Sequence, residues 1–184
     1  MRKLHVIGGA LLICSSAFAG YKIGKQIPGS EFIIDAVSDS EHTTMTTLYA
    51  YANGDEKCTQ NKHGFSLGSD HTFGHTPSLK AVRIAADESF AFTATYNEAR
   101  GPQNRVCSLS AAFTPLANRR YLARIVTTDQ VDRCDLGIFD VTDGTARPIE
   151  FLMPEFVCGK KTPTQHPNGK PAIWNTAIVV PQYF

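Results

Sequence analysis

Three histidines and an aspartate lie within one polar stretch of the chain. His63, Asp70, His71 and His75 all fall between residues 53 and 78. Imidazole nitrogens and carboxylate oxygens are common ligands of zinc and copper. We therefore treat His63, His71 and His75 as candidate ligands of a metal-binding protein or a metal-dependent envelope enzyme. The simpler interpretation is a solvated polar loop, because nearby glycines disfavour the helix that would align His71 with His75.

Three aspartates recur at every third residue near the third quarter of the chain. Asp129, Asp132 and Asp135 carry the oxygen ligands that Ca²⁺ prefers. Their spacing differs from that of an EF-hand loop, which also carries a terminal glutamate. We interpret them as a solvated turn that leads into a strand.

The sequence does not single out a nucleophile. Residues 64–68 read G-F-S-L-G and match the G-x-S-x-G pattern, but this pattern marks a nucleophile only at a turn from a strand into a helix, and the sequence predicts no amphipathic helix after it. We interpret the basic pairs Arg119-Arg120 and Lys160-Lys161 as solvated turn residues rather than phosphate sites. We predict no catalytic residue, no cofactor and no enzymatic activity.

The first nineteen residues have the three parts of a secretory signal peptide. Arg2 and Lys3 precede an apolar segment that ends at Ile13, and Ala17-Phe18-Ala19 forms a cleavage site. The apolar segment is shorter than the roughly 20 residues that span a bilayer. We predict a signal peptide at 1–19, a periplasmic or secreted product, and no transmembrane span.

A second interpretation of the leader concerns Cys14. Leu11-Leu12-Ile13-Cys14 resembles part of a lipobox, in which the cysteine becomes the lipidated first residue. A lipobox has a small residue where this chain has Ile13. The alternative product is an outer-membrane lipoprotein anchored at Cys14.

The charge balance argues against nucleic acid as a partner. The chain has 18 Lys and Arg against 17 Asp and Glu, and loss of Arg2 and Lys3 leaves 16 against 17. A nucleic-acid footprint needs a basic patch or stripe, and no run of like charge stands out.

Four cysteines remain after the leader is removed, and in an exported chain they indicate two disulfides. The alternation of apolar residues places Cys107 and Cys134 on the inward faces of two strands, where their sulfurs can meet. That pairing leaves Cys58 to join Cys158. The alternative is one disulfide and two free buried thiols.

Short alternating segments with turn residues between them predict an all-β fold. Phe90, Phe92, Ala94 and Tyr96 fall on one face of the clearest example. We predict an antiparallel immunoglobulin-like or transthyretin-like β-sandwich over 20–153, with a loop over 53–78. Residues 154–184 form a proline-rich C-terminal extension that packs on this domain. An α+β domain with a helix near 55–61 is the alternative.

Residues 105–134 carry a resemblance to a known group. They read R-V-C-S-L-S-A-A-F-T-P, then R-Y-L-A-R-I, then D-R-C, after the Phe-x-Phe strand of Phe90 and Phe92. This resembles small exported proteobacterial proteins, often lipoproteins, in which a cysteine strand ends in Phe-Thr-Pro, a tyrosine opens the next strand and a second cysteine follows. The resemblance implies a β-sandwich of the cell envelope and no catalytic residue.

These observations predict an exported envelope protein that acts as a non-catalytic interaction module. Its partner would be a protein or a glycan of the envelope, bound through loops or an exposed sheet face. Tyr49 and Tyr51 share one strand face with Thr47, and Phe139 lies opposite Cys134 on its strand. If exposed, these aromatic rings would form a binding patch. If covered, they belong to a sheet buried on both sides.

Overall fold

A computed structural model describes residues 20–39, 45–56, 64–73, 76–100, 103–128, 131, 133–154 and 157–158. These residues form nine β-strands and no helix. In chain order, the strands are β1 (Gly29–Ser38), β2 (Met45–Ala52), β3 (Ser66–Thr72), β4 (Val82–Ala85), β5 (Phe90–Arg100), β6 (Gln103–Phe113), β7 (Arg120–Thr128), β8 (Arg133–Asp140) and β9 (Arg147–Pro148).

The strands form two sheets that pack face to face, which confirms the predicted β-sandwich. One sheet has the order β4-β1-β7-β8-β9 and the other has the order β3-β2-β5-β6. The expectation of a wholly antiparallel arrangement is wrong at one place, because β1 and β7 run parallel from Glu31↔Arg120 to Ser38↔Thr127. The alternative of a helix near 55–61 falls largely on residues outside those described.

An aromatic cluster fills one end of the space between the sheets. Phe32 of β1 is fully buried, and its ring lies 5.0 Å from Phe92, 5.4 Å from Phe90 and 5.7 Å from Phe113 by centroid distance. The predicted alternation of β5 is therefore correct, since Phe90, Phe92, Ala94 and Tyr96 all join this core. Burial of such rings is the main source of stability for a sandwich of this size.

A disulfide links the two sheets through the core, as predicted. Cys107 of β6 and Cys134 of β8 are bonded, with a Cα–Cα distance of 6.1 Å. Both residues are buried. Cys158 is also disulfide-bonded. Its predicted partner Cys58 lies outside the described residues, so that pairing stays a prediction.

The predicted loop over 53–78 is wrong in its middle, because Ser66–Thr72 forms the edge strand β3. It pairs with β2 from Thr46↔Thr72 to Tyr51↔Ser66, with a bulge that leaves Leu67 in the core. Gly68 stands at this bulge with φ of 134°, a conformation that favours glycine. The polar composition that suggested a loop is instead typical of an edge strand with one face in solvent.

The C-terminal part of the described chain crosses from one sheet to the other. After β9, Leu152 exchanges two backbone hydrogen bonds with Ala112 of β6, at 2.9 and 2.8 Å. Val157 and Cys158 are then buried, and the amide of Cys158 donates to the Ser110 hydroxyl of β6 at 2.9 Å. The predicted packing of the extension 154–184 on the domain stays a prediction, because 155–156 and 159–184 lie outside the described residues, as do 1–19 with Cys14.

A buried ion pair lies on the outer face of the five-stranded sheet. Asp35 of β1 is only 1% exposed and sits opposite Arg124 of β7. The guanidinium donates from Nε to Oδ1 at 2.9 Å and from Nη2 to Oδ2 at 2.6 Å. This two-point geometry satisfies both carboxylate oxygens in a place that water does not reach.

The buried carboxylate gives a pH-dependent contribution to stability. Burial raises the pKa of Asp35 above its ordinary value of 3.8, and the hydrogen bond and charge of Arg124 offset only part of the rise. Above pH 3.8 and up to the raised pKa, the folded protein binds more protons than the unfolded chain, so this contribution falls as pH rises.

We expect the Asp35→Asn variant to lack this loss of stability with rising pH. The free energy of unfolding of the wild type minus that of Asp35→Asn should therefore fall as pH rises from about 3.5 to about 7. Urea unfolding of both proteins across this range measures the difference, because carboxylates common to both cancel. A difference that grows with pH would contradict the raised pKa.

Candidate functional site

The predicted histidine site is only partly within the described residues, since His63 and His75 lie outside them. His71 is on β3, exposed, with its Nδ1 3.1 Å from the hydroxyl of Thr47. Asp70 precedes it on the strand and therefore points to the other face, where its Oδ2 accepts a hydrogen bond from the amide of Ser78 at 2.9 Å. His71 and Asp70 thus do not share a site. The metal alternative stays a prediction.

No group of three or more histidine, cysteine, aspartate or glutamate side chains comes together within the described residues in a way that would hold a metal ion. Of the three recurring aspartates, only Asp135 is described, at the start of β8. The calcium alternative and the pair Lys160-Lys161 rest on residues outside the described ranges.

Sequence reasoning missed a buried acid at the far end of β5. Glu98 is fully buried between the sheets, and Ser38 of the opposite sheet donates to its Oε2 at 3.4 Å. Nearby on β7, the hydroxyl of Thr127 is buried without a hydrogen-bond partner in the structure. Several segments that adjoin this end lie outside the described residues, so we base no function on it.

A pair of tyrosines marks the outer face of the four-stranded sheet. The rings of Tyr49 and Tyr51 on β2 lie edge to face with centroids 6.0 Å apart, and both side chains are half-buried. Cross-strand pairing places Ser69 beside Tyr49 and His71 beside Thr47. We call this set the tyrosine face: Thr47, Tyr49, Tyr51, Ser69 and His71.

The β6 side of the same sheet is covered by the C-terminal segment. Thr93 and Ser110 hydroxyls lie 2.6 Å apart, and the amide of Cys158 donates to the Ser110 hydroxyl at 2.9 Å. Thr95 and Ser108 form a second hydroxyl pair at 2.9 Å. Among the described residues, the segment at Cys158 lies on the β6 half of this face, and the tyrosines on the β2 half are half-buried.

Phe139 contributes to no exposed patch. It is 2% exposed and packs with Ile33, Leu122 and Val141 in a small second core on the outer face of the five-stranded sheet. Ala146, in the turn between β8 and β9, packs against the same cluster. The segment that follows β8 folds back and covers this part of the outer face of the five-stranded sheet.

A cleft at one end of the five-stranded sheet gathers three arginines. It has a volume of about 370 Å³. Strand register brings two of them together, since Glu31 of β1 pairs with Arg83 of β4 on one side and with Arg120 of β7 on the other. We call this site the arginine cleft. Its lining residues are Gly29, Ser30, Glu31, Arg83, Asn118, Arg119 and Arg120.

Each guanidinium of the arginine cleft is held by a neighbouring group. Arg83 donates from Nη1 to the carbonyl of Gly24 at 3.1 Å and from Nη2 to the carbonyl of Ile27. Arg119 lies 3.5 Å from a carboxylate oxygen of Asp140, and Arg120 lies 3.5 Å from one of Glu31. The interpretation of Arg119-Arg120 as an isolated pair is incomplete, because Arg83 joins them.

Comparison of the chain with protein-family models and with curated protein sequences finds no match. The resemblance to small exported proteobacterial proteins therefore stays a prediction. The described residues include no helix that is long and apolar enough to cross a membrane. Fold and surfaces together define a disulfide-linked β-sandwich domain with an aromatic face and a basic cleft.

Proposed function

We propose that this protein is an exported, non-catalytic interaction module of the cell envelope that contacts a protein partner through the tyrosine face. The observation that carries the proposal is the edge-to-face pair of Tyr49 and Tyr51, half-buried on the outside of a sheet whose inner side is linked by a disulfide. Export rests on the signal-peptide pattern of 1–19, and disulfides persist in oxidising compartments such as the periplasm.

The composition of the tyrosine face suits a protein surface. Tyrosine supplies a large, rigid and amphipathic contact at low entropic cost, and serine, threonine and histidine beside it supply adaptable hydrogen bonds. Aromatic residues are enriched at protein interfaces for the same reason. The strand that carries them is fixed, since β2 lies between β3 and β5 in the sheet. Little order is therefore lost on binding.

Capture from envelope extracts tests the proposal. The purified, oxidised protein is immobilised, and the partner it retains is identified and then purified for affinity measurement. We expect Tyr49→Ala/Tyr51→Ala to weaken that affinity at least about tenfold, because aromatic anchors at an interface commonly carry most of its energy. The far-ultraviolet circular dichroism spectrum should stay unchanged.

Leu116→Ala provides the matched control. Leu116 is an exposed apolar residue between β6 and β7, away from the tyrosine face, and its loss should leave the affinity unchanged. Equal weakening by both variants would contradict the proposal. Capture that survives protease digestion of the extract would identify a glycan partner and would also contradict it.

A further inference from the structure

We propose that the arginine cleft is a binding site for the carboxylate group of a small molecule. The tyrosine face and the arginine cleft share no residue, so this inference does not depend on the proposed function. Guanidinium groups present planar forks of N–H donors that match the two oxygens of a carboxylate. Three guanidinium groups line one cleft that is open to solvent. Solvated residues of a single turn would not bring three such groups together.

The guanidinium of Arg83 is already fixed in place. Two backbone carbonyls accept from its Nη1 and Nη2, and it lies close to the backbone of Gly29. A Cβ at Gly29 would stand 2.8 Å from Nε of Arg83 and 2.9 Å from the carbonyl oxygen of Ile84, so a larger residue there would displace the guanidinium or the backbone. Arginine has five N–H donors, and two carbonyls leave the remainder for a ligand. A fixed donor group loses little entropy on binding.

Arg120 has donor capacity that its neighbours leave unused. Its Nε is buried and makes no hydrogen bond, although a carboxylate oxygen of Glu31 lies 3.5 Å away. Buried donors in proteins are normally hydrogen-bonded. A carboxylate in the cleft can accept from Arg120 and leave Glu31, which is largely exposed, in contact with water.

The local charge selects a singly charged anion. Arg83, Arg119 and Arg120 face the carboxylates of Glu31 and Asp140, which leaves one positive charge in excess. A carboxylate neutralises this excess, whereas a dianionic phosphate would overcompensate it. A second cleft at the same end of the sandwich, of about 460 Å³, contains Glu56 and Glu150, which disfavour an anion there.

Nuclear magnetic resonance of the arginine Nε–Hε groups tests the inference directly. The ¹⁵N-labelled, oxidised protein is titrated with acetate, with dianionic inorganic phosphate and with chloride, all at matched ionic strength. We expect acetate to shift the Arg83 and Arg120 signals along a saturable curve, with weaker binding of phosphate and no saturable effect of chloride.

Variants connect these shifts to the arginine cleft. Arg83→Gln and Arg120→Gln should each weaken acetate binding at least about tenfold, the effect of losing a hydrogen bond to a charged group. Arg133→Gln, at the exposed start of β8 and the opposite end of the sandwich, should bind acetate as the wild type does. Backbone amide spectra show whether each variant keeps its fold, and Arg120→Lys gives a second test that keeps the charge and removes the planar fork.

Three results would overturn the inference. Chloride could produce the same saturable shifts, which would show a general response to ionic strength. The two glutamine variants could bind acetate as tightly as the wild type while keeping the native backbone spectrum. Phosphate could bind more tightly than acetate, which would contradict the charge argument.

Discussion

We expect Asp35→Ala to lower the free energy of unfolding by about 3–5 kcal/mol. The substitution removes two acceptors of the Arg124 guanidinium, which is 12% exposed and has already lost most of its water. Removing one partner of a buried ion pair takes away compensation from the other charge, and this loss is the main cost. Urea unfolding followed by circular dichroism measures the loss.

Two further variants separate this cause from others. Asp35→Val/Arg124→Leu replaces both charges with apolar groups and should recover most of the lost stability, because buried ion pairs are often replaceable by packed hydrophobic residues. Asp143→Ala removes a carboxylate from the exposed pair with Arg147, and should cost less than about 1 kcal/mol. If the double variant were as unstable as Asp35→Ala, loss of the carboxylate that faces the Arg124 charge would not be the cause.

Loss of the inter-sheet disulfide should be nearly as costly. Cys107 and Cys134 are separated by 27 residues, and closing a loop of that length stabilises the folded state by about 3.5 kcal/mol in the chain-entropy treatment. We therefore expect Cys107→Ala/Cys134→Ala to unfold at a markedly lower urea concentration than the oxidised wild type. The slope of the transition should change too, because the unfolded chain becomes less compact.

Reduction of the variant provides the control for this experiment. Cys158 is disulfide-bonded as well, so a reductant acts on more than one bridge in the wild type. The further loss of stability that a reductant causes in Cys107→Ala/Cys134→Ala reports the Cys158 bridge alone. A double variant as stable as the oxidised wild type would show that packing, rather than the crosslink, holds the sheets together.

Strands whose inner face carries a run of apolar residues could be predicted from the sequence. β5 is the clearest case, since every second residue from Phe90 to Tyr96 enters the core. β3 could not, because Leu67 is its only large apolar residue and the bulge at Gly68 interrupts the alternation. The parallel pairing of β1 with β7 could not be predicted either. Periodicity shows which face of a strand is buried, but it does not show which strand pairs beside it.

The two candidate sites also differ in how far they could be predicted from the sequence. Tyr49 and Tyr51 are two residues apart on one strand, so their shared face follows from the period of the strand alone. Arg83 and Arg120 belong to β4 and β7, and only the register of both strands against Glu31 brings them together. A single charged residue in a strand is, by itself, a weak indication of a binding site. The anchoring of Arg83 on the carbonyls of Gly24 and Ile27 depends on the path of a segment without regular structure.

The parallel pairing of β1 and β7 has a consequence for the rate of folding. From Glu31 to Ser38, each residue of β1 meets a partner 89 positions later in the chain, as Asp35 meets Arg124. β1 therefore cannot complete its place in the sheet until β7 has been synthesised, and pairing over such distances slows folding. For the exported chain that we propose, if it is translocated unfolded, slow folding would keep the polypeptide competent for translocation until β7 has emerged.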